Sequence, residues 1–387
     1  MIEFKLPSMG ADMDEGKLLE WRVKPGDPVK KGDVVAVVDT TKAAVDVESW
    51  QEGTMHEQLV GVGETVPVGT VIATFLEPGE SAQGVAKRAK PPTAAAAAPA
   101  PAPPAAPAPP VEPVAAAGRK PVSPAARARA KELRVDVETI AGTGLQGAVT
   151  IEDVEKAAAA PKTGADRAAQ MRKAIGAAMS RSKREIPHYY LQEPVPMARA
   201  VEWLARENEK RPVTERLLMG VLQVKAVARA LAKAPELNGF WTDGAFRPSA
   251  AIHVGVAISI RQGGLIAPAI HDVERKGLDE LMRDLTDLVA RARAGSLRSS
   301  EMSDPTITVT NLGETGVESV LGVIYPPQVA LVGFGRIDVR PWVEDGTVKP
   351  VSMTMASLSA DHRASDGIRG ARFLAELRER LQHPEEL

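Results

Sequence analysis

Val34-Val-Ala-Val-Val-Asp-Thr-Thr-Lys-Ala-Ala-Val-Asp-Val-Glu48 consists of two β-branched runs on either side of a polar interruption. It reads as strand, turn, strand, with Asp39-Thr40-Thr41-Lys42-Ala43 turning and Lys42 at or beside the tip. The stretch links two copies of one pattern. Sliding Gly16–Val38 onto Gly53–Phe75 matches Gly16 with Gly53, Glu20 with Glu57, Val23 with Val60 and Gly26 with Gly63. Val29 with Val66, Gly32 with Gly69, Val34 with Val71 and Ala36 with Ala73 follow in the same register. Glycine turns between short β-branched runs, given twice, predict two similar half-sheets packed face to face. A lysine in a surface turn is ordinarily a solvated charge. At the pseudo-symmetric tip of a small sandwich it protrudes, which suits covalent attachment of a carrier group.

Beyond this head the composition changes. From Ala82 to Gly118 the chain is nearly all Ala and Pro, and a thinner break of similar character runs from Ala157 to Gln170. Such stretches have little to bury that could offset the entropy of ordering. Polyproline geometry at about 3.1 Å per residue gives the longer one a maximal reach on the order of 100 Å. The expected division is therefore 1–80, a linker over 81–120, a small module at 121–156, a second linker at 157–170 and a body at 171–387. Charge follows the same division: residues 1–80 carry 7 basic and 15 acidic side chains, whereas 81–156 and 157–387 are each net +3. The whole chain of 387 residues is close to neutral at −2. A general nucleic-acid binder would show a basic excess. Zero cysteines exclude a disulfide scaffold and a thiolate metal site. No apolar run reaches the roughly 18–20 residues of a membrane span, and the start has neither a signal-peptide nor a transit pattern. A cytoplasmic protein with no membrane and no nucleic-acid partner is expected.

In the small module, Ser123-Pro124 is a helix start, with Ser as cap and Pro in the first turn. Gly142-Thr-Gly-Leu-Gln-Gly147 is a loop, and Thr150-Ile-Glu-Asp153 resembles a capping box opening a second helix. In the body, Leu217 to Leu231 and Leu278 to Ala294 have helical periodicity, Ile252 to Ile260 and Thr306 to Thr310 alternate like strands, and Val329 to Phe334 reads as a buried strand. The body is α+β.

Histidine is the most frequent general base near neutral pH, and the chain has 6. His56 and His383 lie in polar surroundings as surface residues. His188, His253 and His271 border strand-like runs and read as structural. His362 sits in Ser359-Ala-Asp-His-Arg-Ala-Ser-Asp-Gly367, where an alternating run ends and a helix begins. Asp366 is placed as its N-cap, with Leu374, Leu377 and Leu381 as the buried stripe behind it. On spacing alone, this is a capped helix with an incidental histidine.

Three resemblances change that reading. The head is similar to a lipoyl domain through Gly16, Gly26-Asp27, Gly32-Asp33, Asp39-x-x-Lys42-Ala43 and Gly53. Biotin carriers share that fold but place Met on both sides of the lysine, where this chain has Thr41 and Ala43. The small module resembles a peripheral subunit-binding domain through Ser123-Pro, Gly142-Thr-Gly and Glu152-Asp-Val154. Asp361-His-Arg-Ala-Ser-Asp-Gly367 looks like the His-x-x-x-Asp-Gly signature of the 2-oxo acid dehydrogenase acyltransferases and their chloramphenicol-acetyltransferase relatives. It is accompanied in family order by Pro187-His-Tyr-Tyr, Lys225-Ala-Val-Ala, Pro235-Glu-Leu-Asn238, Gly264-Leu-Ile-Ala-Pro268, Thr308-Val-Thr-Asn-Leu-Gly313 and Pro326-Pro-Gln-Val-Ala330. Together they span nearly the whole chain and identify it as a dihydrolipoamide acyltransferase. The implied fold is multidomain: a β-sandwich lipoyl domain, a small all-α subunit-binding domain, and an α+β acyltransferase domain resembling chloramphenicol acetyltransferase.

The resemblance implies transfer of an acyl group between a dihydrolipoyl thiol and coenzyme A, with acetyl first and branched-chain acyl second. Both thiols belong to cofactors, so the lack of cysteine is no obstacle. Carried over, Lys42 takes lipoate, His362 is the general base, Thr310 is the oxyanion donor and Asp366 orients the site, in the family through an arginine salt bridge. Implied partners are a 2-oxo acid decarboxylase, dihydrolipoamide dehydrogenase, the lipoylating enzyme and further copies of the chain in a trimer or larger core. A lipoylated scaffold without transfer activity is the alternative, and the presence of His362, Asp366 and Thr310 weighs against it.

Overall fold

The computed structural model describes residues 1–9, 13, 15–40, 44–77, 122–133, 135, 137, 140–144, 147–159, 164–260, 264–344 and 346–387. Eight strands form the head: β1 (Ile2–Lys5), β2 (Glu15–Trp21), β3 (Pro28–Val29), β4 (Val34–Asp39), β5 (Ala44–Glu48), β6 (Gly53–Gln58), β7 (Thr65–Pro67) and β8 (Val71–Leu76). They make two sheets, β1-β8-β6-β3 and β5-β4-β2-β7. Between them lie Phe4, Leu18, Val35, Val38, Val47, Met55, Ile72 and Phe75, all buried. The repeat holds bond for bond. Lys24 N–H donates to the Asp27 carboxylate at 2.8 Å and, 37 positions on, Gly61 N–H donates to Glu64 at 3.0 Å. Gly26 N–H donates to Met55 O while Gly63 N–H donates to Leu18 O, both at 2.7 Å, so each half ties its turn to the other. Gly26 and Gly63 have φ of 98° and 90°, a left-handed turn that a side chain would strain. A Cβ on Gly16 would sit 2.6 Å from Val38, and one on Gly53 would sit 2.5 Å from the Leu76 carbonyl, so close packing explains that pair.

The small module is a pair of helices, α1 (Pro124–Glu132) and α2 (Ile151–Ala159), around Ala126, Ala130, Ile140, Val149 and Val154. Ser123 caps α1 by accepting from Ala126 N–H at 3.1 Å. The predicted capping box is reciprocal: Thr150 N–H donates to Asp153 at 2.9 Å, and Asp153 N–H donates to Thr150 Oγ1 at 3.2 Å. Asp153 also accepts from Thr143 N–H at 2.9 Å and from its hydroxyl at 2.7 Å, closing the loop between the helices. One carboxylate therefore holds helix and loop together. Of the module's basic residues, Arg129 pairs with Glu155 within the module, Arg127 and Lys131 are exposed, and Arg134 lies outside the described residues.

The body begins with α3 (Gly164–Glu185) and β9 (His188–Pro196), then α4 (Ala198–Glu209), α5 (Met219–Leu231) and the hairpin β10 (Gly239–Thr242) with β11 (Ala245–Pro248). Next come β12 (Val254–Val256), β13 (Ile258–Ser259), β14 (Leu265–Ile266), β15 (Ala269–Ile270), α6 (Leu278–Ala294), β16 (Leu297–Arg298) and α7 (Ser299–Ser303). The chain closes with β17 (Ile307–Asn311), β18 (Ala330–Phe334), β19 (Asp338–Glu344), β20 (Thr347–Asp361) and α8 (Gly367–Gln382). The main sheet runs β15-β12-β17-β18-β20-β19, with β9 also on β20. Strands β12, β17 and β18 are parallel, whereas β20 runs antiparallel to β18 and β9. One core unites the sheet with α5, α6 and α8. The run Ile252 to Ile260, expected as one strand, divides at Ala257, where the chain leaves β17 and pairs β13 with β14 instead.

The head also touches the body. Leu297 and Arg298 of β16 pair in parallel with Val45 and Asp46 of β5, and Glu48 bonds Ser299 and Ser300 at the start of α7.

Hydrogen bonds from the Thr143 and Thr150 backbone hold the Asp153 carboxyl below its ordinary value of 3.8. Because the folded pKa is depressed, its stabilisation is complete above about pH 4 and is lost as pH falls through the folded value. Asp153→Asn is expected to speed amide exchange across α1 and α2 at neutral pH while leaving the head and body unchanged. Acidifying the unsubstituted chain should loosen the same two helices.

Candidate active site

The C-terminal half of β20 is buried on both faces, and its last residue, Asp361, is 0% exposed. A buried carboxylate must be paired, because an isolated charge in the interior is expensive. Arg363 pairs it through Nε at 3.0 Å and Nη2 at 2.7 Å, while Arg363 N–H donates to the same carboxylate at 2.9 Å. Ala364 and Ser365 N–H groups both donate to the Asp361 carbonyl at 3.0 Å. A tight turn results, and His362 is at its apex, exposed in the single chain.

His362 N–H donates to Pro187 O at 3.0 Å, joining the turn to the residue before β9. The Tyr189 ring meets the imidazole edge-on, centroids 5.3 Å apart at 68°. Its hydroxyl lies 2.8 Å from Ser365 Oγ, and burial raises its pKa, so Tyr189 remains a neutral phenol. Asp366 caps α8 as expected, accepting from Arg369 N–H at 2.9 Å. That bond, helped by Ile368 N–H and the charges of Arg369 and His362, lowers its pKa. The buried stripe of α8 is Phe373, Leu374, Leu377 and Leu381. Among the described residues the arginine fork in this turn serves Asp361, and Asp366 serves the helix end.

Thr310 lies half-buried near the end of β17, opposite Gly333 of β18, which in turn faces Ser357 of β20. Ser357 precedes His362 by five residues. At about 3.3 Å per residue, roughly 16 Å of strand separates the Thr310 level from His362. The two are thus at opposite ends of the sheet, and one chain does not bring them together. Lys42 lies outside the described residues. The strands flanking its loop are paired, Asp39 with Ala44, as the hairpin reading required.

The other histidines match their structural reading. His253 and His271 rings are 4.8 Å apart, and His271 Nε2 is 3.1 Å from Asp304. His188 accepts Ile324 N–H on Nε2 at 3.2 Å, which leaves Nδ1–H to donate to Ile186 O at 2.9 Å. That arrangement needs the neutral ring. Lys225 is structural as well: burial pushes its amine down to about 8, and Nζ donates to the carbonyls of Val273, Glu274 and Lys276. Sequence reasoning missed Asp361, Arg363 and Tyr189 as parts of the site. Tyr189 stood in a recognised motif, but its partner Ser365 lies 176 residues away. Among the described residues, no group of three or more His, Cys, Asp or Glu is arranged to hold a metal ion, and no helix is long and apolar enough to cross a membrane.

A cavity of about 370 Å³ opens on the other side of the turn, walled by Arg363, Trp241, Phe240, Tyr325 and Met302 among others. The Arg363 guanidinium lies 4.6 Å from the Trp241 ring centroid.

Residues 161–387 match the family described as 2-oxoacid dehydrogenases acyltransferase (catalytic domain). Residues 2–75 match "Biotin-requiring enzyme" and 120–155 match "e3 binding domain". The dihydrolipoyllysine-residue acetyltransferase component of the pyruvate dehydrogenase complex from Rhizobium meliloti is 34% identical, covering 99% of this chain and 98% of its own. The mitochondrial protein of the same description from Neurospora crassa is 32% identical, covering 99% and 92%. Among solved structures, a probable dihydrolipoamide acetyltransferase from Listeria monocytogenes is 29% identical with a TM-score of 0.53, covering 58% of this chain and 94% of its own. The cubic core of a pyruvate dehydrogenase multienzyme complex is 27% identical with a TM-score of 0.52, covering 55% and 88%.

Burial lowers the His188 pKa from 6.5, reinforced by the Lys183 charge and opposed by Ile186 O and Asp361. A lowered folded value means that acid favours the unfolded chain: stability falls as pH drops from 6.5 through the folded value. The melting temperature of the body should therefore decline between pH 7 and 5, and His188→Gln should flatten that part of the decline.

Proposed function

The chain belongs to the 2-oxoacid dehydrogenase acyltransferases, and on that premise we propose that it moves an acetyl group between dihydrolipoyl-lysine and coenzyme A within a pyruvate dehydrogenase complex. The observation that carries the reading is the exposed His362 ring on a turn fixed at every neighbouring backbone position. The domain plan is a lipoyl domain at 1–80, a linker at 81–120, a subunit-binding domain at 121–156, a linker at 157–170 and the catalytic domain at 171–387.

Lys42 carries lipoate in this reading, and the hairpin fits the task, since its strands pair up to Asp39 and Ala44 on either side of Lys42. The attached group supplies, when bound, the dithiol that carries the acyl unit. His362 accepts the proton of the attacking thiol, which has a pKa near 8–9 and is a poor nucleophile until deprotonated. Tyr189, ring edge against His362 and hydroxyl on Ser365, orients the imidazole. The Thr310 hydroxyl donates to the oxyanion that develops on the thioester carbonyl, a contribution of about 3–4 kcal/mol. Asp366 orients the turn by fixing the start of α8. Because Thr310 and His362 lie at opposite ends of one sheet, each complete site takes His362 from one chain and Thr310 from another, within a trimer or a larger core. The subunit-binding domain docks the decarboxylase or dihydrolipoamide dehydrogenase, the lipoylating enzyme modifies Lys42, and the assembly works in the cytoplasm.

Purified protein given dihydrolipoamide and acetyl-, isobutyryl- or succinyl-CoA should form thioester with the acetyl donor. No turnover with any donor, from a folded trimer, would leave a lipoylated scaffold as the function. His362→Ala should abolish transfer, and Thr310→Ala should slow it by about 10²–10³. Co-refolding the two inactive variants in equal amounts tests the shared site. With random assembly about a quarter of the interfaces combine intact His362 with intact Thr310, so activity should return to roughly that fraction. Activity no greater than that of the separate variants would place both residues of each site in one chain.

A further inference from the structure

We infer that Asp361, Arg363 and Trp241 form a clamp that positions His362 for proton transfer, with Arg363 as its jaw. The inference rests on His362 being the base. The clamp is built from three sides. Asp361 is fully buried, its N–H donates to Val329 O at 2.9 Å, and β20 places it opposite His188 of β9, so the strand cannot shift it. Its carboxylate takes three contacts from Arg363: the backbone N–H at 2.9 Å, Nε at 3.0 Å and Nη2 at 2.7 Å. A side chain that bonds both the backbone and the guanidinium of the residue two ahead leaves the intervening residue, His362, little torsional freedom. The guanidinium carbon in turn lies over the Trp241 ring, 4.6 Å from its centroid. The Trp241 backbone is fixed by its main-chain N–H, which donates to Pro327 O at 2.8 Å.

The jaw forms a wall of the 370 Å³ cavity. Arg363 thus faces both the Asp361 carboxylate and the cavity. A lysine cannot substitute, because it has neither the two-pronged geometry nor the flat face for stacking.

The test is steady-state kinetics on the assembled, lipoylated protein, with folding checked by melting temperature and oligomer size. Arg363→Lys and Asp361→Asn should each lower kcat by about 10- to 100-fold, the range expected when a catalytic group is misplaced by about an ångström. KM for coenzyme A and dihydrolipoamide should stay within about two-fold, since the clamp touches the base and not the substrates' binding groups. Trp241→Leu should lose less, and Trp241→Phe, which keeps a flat platform, should recover most of that loss. If Asp361→Asn does not fold, Arg363→Lys and the Trp241 pair decide the matter. Unchanged kcat in folded Arg363→Lys, or a rise in KM alone, would overturn the clamp. His362→Ala in the same assay separates the two ideas: if it stays active, the assignment of the base fails; if it is dead while Arg363→Lys is unaffected, only the clamp fails.

Discussion

The register of β20 is the constraint on which the site depends. Nine consecutive residues pair with β9, and five of them also pair with β18 on the other side. Both faces of this half of the strand are covered, so a slip of one position would turn every side chain to the wrong face. The same register puts Asp361 at the last buried position and releases His362 into solvent immediately after it. It also fixes Thr310 at the level of Ser357, far along the strand from His362. One alignment of hydrogen bonds thus both exposes His362 and separates it from Thr310.

The buried Asp361 carboxylate is the point where stability and chemistry meet. Removing one partner of a buried ion pair typically costs about 3–5 kcal/mol, because the other charge is left without compensation. The turn is therefore held by an interaction that the fold can ill do without, and Arg363 cannot leave Asp361 easily. Tyr189 and Pro187 add a second set of supports from β9, a strand more than 160 positions earlier in the chain. The active-site turn is accordingly rigid, although it is an exposed connection between a strand and a helix.

The head shows a different use of repetition. Each half supplies turn bonds that close on the other half, Gly26 to Met55 and Gly63 to Leu18. Neither half-sheet is satisfied alone, and the two cores merge around Phe4 and Phe75. The result is a small body closed by both halves together.

Much of this was legible in the residues themselves. The glycine repeat gave the two half-sheets, Ser123 and Thr150 with Asp153 gave the two helix starts, and Asp366 with Leu374, Leu377 and Leu381 gave α8, because caps and periodicities are local and act over a few residues. The run Val329 to Phe334 was readable as a buried strand for the same reason. His362 by contrast looked incidental on spacing, and only motif resemblance raised it. Tyr189, whose ring meets His362, and Trp241, which lies against Arg363, carried no local signature. Their meaning comes from contacts across the sheet between segments far apart in sequence, where order along the chain says nothing about distance. Caps and periodicity determined the elements. Only the register of strands brought together from distant parts of the chain decided which residues surround His362, and held Thr310 away from it along the sheet.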